Sequence, residues 1–185
     1  MQIMIGRHTV EIHQWQSADQ MKRELSAYSA GYHLFGEDIE AASEFYTVSF
    51  HIMAEEHRFG IGVCVGRHGI TPQVLLLPDQ DLMMLGVQQE VVGISLTEGT
   101  IRFHLSVPTL FRCFVALTER NLILVFDEIG VMALIPDGQI LWEYYKDIIT
   151  NYQLAGESLF VEFMDSPPVV IHTLDGQLQS IESDE

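Results

Sequence analysis

The chain has 185 residues, of which 48% are apolar and 19% charged, and its 9 basic and 26 acidic side chains give a formal net charge of −17. This composition excludes intrinsic disorder, and the longest apolar runs, such as residues 122–126, are far too short to cross a bilayer. Direct binding to nucleic acid is disfavoured, because phosphate backbones require clustered Lys and Arg.

The size of the chain predicts one globular domain over residues 1–180, followed by an acidic C-terminal tail at 181–185. The N-terminus lacks the basic start, apolar run and cleavage site of a secretory signal, so we expect a cytoplasmic protein. Cys64 and Cys113 both lie among apolar neighbours. We expect buried free thiols, since a reducing compartment discourages disulfides.

The negative charge is concentrated towards the C-terminus. Residues 1–120 carry 8 basic and 14 acidic side chains, a net charge of −6. Residues 121–185 carry only Lys146 against 12 acidic side chains, a net charge of −11. This imbalance permits a partner with a basic surface, although acidic residues also keep an apolar β protein soluble.

The first 43 residues predict a strand pair, a helix and a loop. Residues 1–15 suit two short strands with a bend near Gly6, and residues 18–28 suit a helix that ends before Gly31. Ser17 and Gln20 have the spacing of a helix-capping box. Three side chains recur at helical intervals: Met21, Leu25 and Tyr28. The polar segment 36–44 is expected to form a loop or one helical turn.

From residue 44 onward the sequence predicts β-strands almost exclusively. Apolar runs rich in branched and aromatic residues are bounded by Gly, Pro, Asp or Asn, which is typical of antiparallel strands joined by turns. The predicted strands are EFYTVSFHIMA, RFGIGVCVG, PQVLLLP, QEVVGISL, TIRFHLSV, TLFRCFVAL, NLILVFD, GVMALIP, QILWEYY, SLFVEFM and PVVIHTL. The fold class is therefore mostly β with antiparallel sheets and one short N-terminal helix. A doubly wound α/β fold is excluded, since it needs helices between its strands.

Part of this β region repeats itself. A shift of 38 residues aligns residues 119–140 with 157–178 and gives six identities: Glu119 and Glu157, Asp127 and Asp165, Val131 and Val169, Asp137 and Asp175, Gly138 and Gly176, Gln139 and Gln177. A shift of 39 residues aligns the segment around Gly99 with that around Gly138, and Phe103 with Trp142. A hairpin of similar strands that recurs at this interval has the length of a propeller blade or of one layer in a stacked β array.

The repeated unit consists of an apolar strand, an Asp-Gly turn, Ile-x-Trp and an acidic and apolar return. It occurs as VMALIPDGQILWEYYKDII and is echoed in VVIHTLDGQLQSI. This pattern resembles the blades of quinoprotein-like and related β-propellers over residues 90–180. No motif matches the cofactor ligands of quinoproteins, so no cofactor is predicted. A partial propeller, a β-sandwich and a rolled meander all remain open, since a full propeller needs a longer chain.

The histidines offer one candidate metal cluster. The densest group lies at a predicted hairpin turn and comprises His51, Glu55, Glu56, His57 and His68. Its spacing matches no helical zinc pair, and exposed turn residues are the favoured interpretation, so no metal site is predicted. The sequence also lacks a nucleophile elbow and a phosphate-binding loop. No catalytic residue is therefore predicted, and a non-enzymatic role is favoured.

The stretch WEYYKDIITNY, residues 142–152, is the candidate contact surface. In a strand, Trp142 and Tyr144 share one face, so Tyr145 would be presented on the other face beside acidic residues. The predicted partner-binding residues are Asp127, Glu128, Glu143, Tyr145 and Asp147. Exposed Tyr with carboxylates suits an interface with a basic protein. The competing interpretation is that neighbouring strands cover both aromatic faces.

These observations favour an acidic, non-enzymatic interaction module that binds a basic protein, for example as an immunity-like or inhibitor-like protein. Two alternatives come from other classes. The first is a small-molecule or carbohydrate binder, or a metal-dependent hydrolase, with a β cavity near residues 51–68. The second is a structural subunit of a homo-oligomer, because many apolar strands leave edges that need cover.

Overall fold

A computed structural model describes residues 2–5, 8–29, 31–52, 58–66 and 71–180. Within this part of the chain the fold is mostly β, with one short α-helix, as predicted. No helix among these residues has the length and apolar character needed to cross a membrane. The chain forms two compact units, Met1–Ser106 and Val107–Glu185. The single-domain assignment for 1–180 stays a prediction, and the acidic tail at 181–185 lies outside the described residues.

The first unit begins with a five-stranded sheet and the helix. Their bounds are β1 (Gln2–Ile5), β2 (His8–Trp15), α1 (Ala18–Leu25), β3 (Tyr32–Gly36), β4 (Glu44–Ile52) and β5 (Arg58–Val65). The strand order is β1-β2-β4-β5-β3, in which β3 runs parallel to β5 and the other neighbours are antiparallel. The predicted N-terminal strand pair and the β4–β5 pairing are confirmed; Gly6 and the connection at 53–57 lie outside the described residues.

The predicted capping box starts helix α1. The Ser17 hydroxyl accepts a hydrogen bond from the backbone N–H of Gln20 at 3.4 Å, and the Gln20 side-chain oxygen accepts one from Gln16 N–H at 3.1 Å. The helix buries Met21 and Leu25 completely. It ends at Leu25, three residues earlier than the sequence pattern predicts.

Three further sheets each contain four antiparallel strands in chain order. The sheet of the first unit comprises β6 (Gln73–Leu77), β7 (Leu82–Val87), β8 (Glu90–Ser95) and β9 (Ile101–Ser106). The first sheet of the second unit comprises β10 (Phe111–Leu117), β11 (Leu122–Asp127), β12 (Gly130–Leu134) and β13 (Ile140–Tyr145). The last sheet comprises β14 (Ile149–Ala155), β15 (Ser158–Phe163), β16 (Val169–His172) and β17 (Leu178–Gln179). Four strands in sequential order are the content of one propeller blade.

Each unit has its own apolar core between two sheets. In the first unit, alternate residues of β2 and β4 pack against residues of β7 and β8, among them Val10, Val48, Leu85 and Val92. In the second unit, residues of β11, β12 and β13 pack against residues of β15 and β16, among them Leu124, Ala133, Trp142, Leu159 and Ile171. Strand alternation directs one face of each sheet into these cores, whereas strands β7, β11 and β12 are buried on both faces.

The predicted repeat is confirmed at the turn between the third and fourth strands of these three sheets. Gly99, Gly138 and Gly176 occupy equivalent places with φ of +69°, +92° and +72°. Their N–H groups donate to carbonyls three or four residues earlier: those of Ser95, Ile135 and His172. A left-handed conformation at this point of the turn favours glycine, which explains why the Asp-Gly pair recurs.

The structure adds four strands that the list of apolar runs does not contain: β3, β7, β14 and the two-residue β17. Strand β3 is short and pairs with β5, a neighbour distant along the chain. Strand β7 is a continuous apolar run, buried throughout, that follows a 3-10 turn at Pro78–Gln80. In strand β14 all residues after Ile149 are exposed. Since neither face of the strand is buried there, its sequence shows no alternation of apolar and polar residues. The expected burial of both thiols is correct for Cys64, whereas Cys113 is partly exposed.

Candidate functional site

The candidate site lies where three connections of the second unit meet. Lys146 N–H donates to the carbonyl of Ile129 at 3.0 Å, which joins the β13–β14 connection to the β11–β12 turn. Met164 N–H donates to the carbonyl of Ile148 at 2.9 Å, which adds the β15–β16 connection. Most of the predicted partner-binding residues gather at this end of the sheets. We call the surface formed by Glu128, Glu143, Tyr145, Asp147, Ile148, Met164 and Asp165 the acidic rim.

Asp127 lies beneath the rim and not on it. Its side chain is 1% exposed, and one carboxylate oxygen accepts hydrogen bonds from the N–H groups of Ile129 at 2.9 Å and Gly130 at 2.7 Å. The other oxygen accepts one from Thr109 N–H at 3.3 Å. A carboxylate at the end of β11 thus satisfies the donors of the turn that follows. Asp127 supports the site without presenting a surface to a partner.

Tyr145 is partly buried, and its hydroxyl lies beside an acid. As predicted, Glu143 and Tyr145 share one face of β13, while Trp142 and Tyr144 belong to the core side. The ring covers Gly130, where an added Cβ would lie 2.0 Å from a ring carbon. Burial, and then the charges of Glu143 and Asp127, raise the pKa of Tyr145 well above its usual range. The phenol therefore remains a hydrogen-bond donor at neutral pH.

Asp147 holds two of the connections together. Its carboxylate accepts hydrogen bonds from Ile148 N–H at 2.7 Å and from Asp165 N–H at 3.0 Å. These backbone contacts, the one from Ile148 first, lower the pKa of Asp147. The carboxylate therefore fixes the geometry of the rim and also contributes to its negative charge.

The predicted binding residues did not include Ile148, Met164 and Asp165, although Ile148 lies within the stretch 142–152. Ile148 and Met164 are 43% and 58% exposed, so that apolar contact area lies among the carboxylates. Met164 and Asp165 follow β15, and their place beside Asp147 depends on pairing between distant strands. The sequence shows a turn signal at residues 165–168. It does not show which distant residues lie beside that turn in the fold.

The basic side chains of the second unit are all engaged within that unit. Residues 107–180 contain ten carboxylates and three basic side chains. Arg112 donates to the carbonyl of Ile149, and Lys146 donates to that of Pro167 at 3.1 Å. Arg120 donates to Thr173 Oγ1 at 2.8 Å and lies 3.5 Å from Glu157. The surface of this unit is consequently dominated by carboxylates.

A second charged group lies at the other end of the same unit. His172 Nδ1 lies 2.8 Å from an oxygen of Asp175, and its Nε2 lies 3.5 Å from Glu157, the carboxylate that also faces Arg120. The hydrogen bond with Asp175, followed by that with Glu157, raises the pKa of His172 although its partial burial acts in the opposite direction. This group stabilises the turn that carries Gly176.

The predicted histidine cluster is only partly within the described residues. His51 lies on β4, whereas Glu55, Glu56, His57 and His68 lie outside the described residues. Among the residues that the structure covers, no group of three His, Cys, Asp or Glu side chains is arranged to hold a metal ion. The convergence of that cluster stays a prediction.

Comparison with known proteins bears on the fold alone. No protein family and no curated protein matches the sequence. Two of the solved structures that do match are computationally designed proteins named Ika4 and Ika8. Ika4 is 15% identical with a TM-score of 0.47, over 61% of this chain and 74% of Ika4. Ika8 is 14% identical with a TM-score of 0.51, over 79% of this chain and 46% of Ika8. The likeness to Ika8 concerns the fold alone.

Proposed function

We propose that this protein is a non-enzymatic interaction module whose acidic rim binds a basic protein. The observation that carries the proposal is the gathering of Glu128, Glu143, Asp147 and Asp165 around two exposed apolar side chains. Carboxylates steer a basic partner towards the surface and select it, while apolar side chains supply contact area that loses water on binding. Two cations lie near the rim, since Lys146 stands beside Asp147 and Arg112 donates to the carbonyl of Ile149. The four rim carboxylates outnumber them, so the local charge remains negative.

One concrete version of the proposal is an immunity-like or inhibitor-like protein that covers the basic active site of a nuclease or another toxin. Such a site must attract phosphates, so its positive surface is complementary to a rim of carboxylates. A cytoplasmic location belongs to this proposal, and the two free thiols are compatible with a reducing compartment.

The test compares three forms of the protein as bait in cells of the source organism. The rim variant carries Glu128→Gln, Glu143→Gln and Asp165→Asn. The control variant removes the same number of charges elsewhere, through Glu98→Gln, Glu119→Gln and Asp137→Asn. Glu119 and Asp137 lie at the ends of β11 and β12 away from the rim. Asp127 and Asp147 are left intact, because their carboxylates hold backbone turns.

We expect a basic protein to be retained by the wild type and by the control variant but not by the rim variant. Titration calorimetry with that purified protein should give a dissociation constant that rises at least about tenfold in the rim variant. It should also give an affinity that falls with added salt. Equal affinity for the rim and control variants would show that the rim is not the binding surface.

A further inference from the structure

A polar groove in the first unit has strands β2 and β4 as its floor. The register pairs Glu11 with Ser49 and His13 with Thr47. Val10, Ile12, Val48 and Phe50, on the opposite face, lie in the apolar core. The polar side chains therefore share the face that points away from that core, as strand alternation requires.

Helix α1 and the turn after it form the wall of the groove. Met21 and Leu25 fix the helix against Phe45 and Cys64 in a small apolar cluster. Gly60 on β5 permits the close approach of Tyr28, since an added Cβ there would lie 2.3 Å from the Tyr28 ring. Because Gly60 and Gly62 have no side chains, the helical segment can pack close to strand β5. Glu24, next to Leu25 in helix α1, also lines the groove.

Hydrogen bonds and ring contacts order the side chains within the groove. The Tyr28 hydroxyl donates to Glu24 Oε1 at 3.1 Å. Trp15 Nε1–H donates to Thr47 Oγ1 at 3.1 Å, and the rings of His13 and Trp15 lie 4.2 Å apart. The cavity measures about 260 Å³, roughly the liquid volume of nine water molecules. Its lining comprises Glu11, His13, Trp15, Glu24, Tyr28, Thr47, Ser49 and His51.

The chemistry of this lining selects for positive charge. Among the described residues that line the groove, Glu11 and Glu24 carry negative charge and no Lys or Arg is present. Carboxylates form charge-assisted hydrogen bonds with ammonium and guanidinium groups. The faces of Trp15 and Tyr28 attract cations and also cover flat apolar bodies. Among the described residues of this lining, an anion would meet two carboxylates and neither a Lys nor an Arg side chain.

We propose that this groove binds a small organic cation, an amine or guanidinium group attached to a compact apolar body. The ammonium group would be held between the carboxylates and the hydroxyl groups of Thr47 and Ser49, and the apolar body would lie against Trp15. The groove belongs to the first unit and the acidic rim to the second. The two proposals therefore depend on different residues.

The probe for this proposal is benzylamine, which is protonated at neutral pH, compared with its neutral and anionic analogues benzyl alcohol and benzoate. The chain contains two tryptophans, so its ¹⁵N spectrum has two indole N–H signals. We expect benzylamine to shift the Trp15 signal saturably, with a dissociation constant on the order of 1 mM for so small a ligand, and to leave the Trp142 signal in place. Benzyl alcohol should bind about tenfold more weakly, and benzoate should cause no saturable shift.

Two pairs of substitutions provide the matched test. Glu11→Gln with Glu24→Gln removes the groove charges while keeping an oxygen for the Tyr28 hydroxyl, and should raise the dissociation constant about tenfold. Glu128→Gln with Glu143→Gln removes the same charge from the rim and should leave it unchanged. Equal binding of benzylamine and benzyl alcohol, an unchanged Trp15 signal, or equal effects of the two variant pairs would overturn the proposal.

Discussion

Several acidic side chains in this protein act as supports for turns. Asp81 accepts hydrogen bonds from Ser95 Oγ at 2.6 Å and from the Thr97 N–H at 2.7 Å, in the same way that Asp127 and Asp147 accept from the backbone near them. Although burial acts to raise the pKa of Asp81, these hydrogen bonds lower it overall. Part of the chain's large negative charge therefore serves its own backbone, because these carboxylates accept hydrogen bonds from the turns beside them.

The His172 and Asp175 pair predicts a pH dependence of stability. A folded-state pKa raised above the ordinary value of about 6.5 gives a contribution that is complete below that value and lost as pH rises through the raised pKa. We expect wild type to exceed His172→Gln in melting temperature by more at about pH 6 than at about pH 9. Thermal melts of both proteins across this range provide the measurement.

The source of that pH dependence can be checked by titrating the His172 ring by NMR. Asp175→Asn should lower the pKa of His172 towards its ordinary value, because it removes the principal partner. Asp137→Asn is the matched control, since Asp137 occupies the equivalent place in the preceding sheet, where Leu134 stands at the position of His172. An unchanged His172 pKa in Asp175→Asn would contradict this account.

At the scale of elements, aromatic rings of one sheet pack against the turn glycines of the next sheet in each unit. An added Cβ at Gly99 would lie 2.8 Å from the ring of Phe59 on β5. An added Cβ at Gly176 would lie 2.7 Å from the Trp142 ring on β13, and Trp142 Nε1–H also donates to the carbonyl of Thr173 at 2.9 Å. The glycine of the repeat is thus required twice, for its φ and for the space above it.

This double requirement predicts that Gly176→Ala is more harmful than Gly156→Ala. Both glycines have a left-handed conformation, with φ of +72° and +58°, but Gly156 has no atom within 4 Å of an added Cβ. Gly156→Ala should cost about 1 to 2 kcal/mol from the backbone alone. Gly176→Ala should cost about 1 to 3 kcal/mol more, from the overlap with Trp142. Urea unfolding followed by circular dichroism measures both, and equal losses would contradict the packing argument.

The elements differ in how far the sequence predicts them. Turn chemistry and apolar runs were sufficient for the helix cap, for most strands and for the recurring glycine turn, because these signals are local. The 38-residue shift matches that turn but places Asp127 over Asp165, whereas the first ends β11 and the second follows β15 by two residues. The β15–β16 connection is longer than the β11–β12 connection. The identical residues at a fixed shift do not reveal this difference.

The candidate site was predictable only in part. The stretch from Glu143 to Asp147 stood out by its aromatic and acidic content, and its alternation gave the correct faces of β13. The burial of Asp127 was not predictable, because carboxylates are usually exposed and its backbone partners are fixed by tertiary structure. Met164 was missed for the same reason, since it meets Ile148 only through pairing of distant segments.

At the scale of the whole molecule, the two tryptophans lie in different units and report on them separately. Trp15 belongs to β2 of the first unit and Trp142 to β13 of the second. If residues 1–180 form one cooperative domain, as proposed from the sequence, both units should unfold together. Trp15→Phe retains only Trp142, and Trp142→Phe retains only Trp15. After correction for the effect of each substitution on stability, we expect the fluorescence of the two variants to give the same urea midpoint.

Circular dichroism follows the strands of both units at once. The difference in its urea midpoint between each variant and the wild type gives the effect of the substitution itself. A wild-type transition that splits into two steps, with the Trp15 and Trp142 signals each following one of them, would show that the units unfold independently. That result would replace the single-domain assignment with two domains of unequal stability.

The two thiols offer a practical route to studying this protein. Cys64 is buried, and burial raises the pKa of its thiol, whereas Cys113 is partly exposed beside the Tyr152 hydroxyl. The thiolate adds to the double bond of a maleimide reagent, so that the accessible thiol is labelled first. A fluorescent dye can therefore be attached selectively at Cys113, in the unit that carries the acidic rim, without any amino-acid substitution.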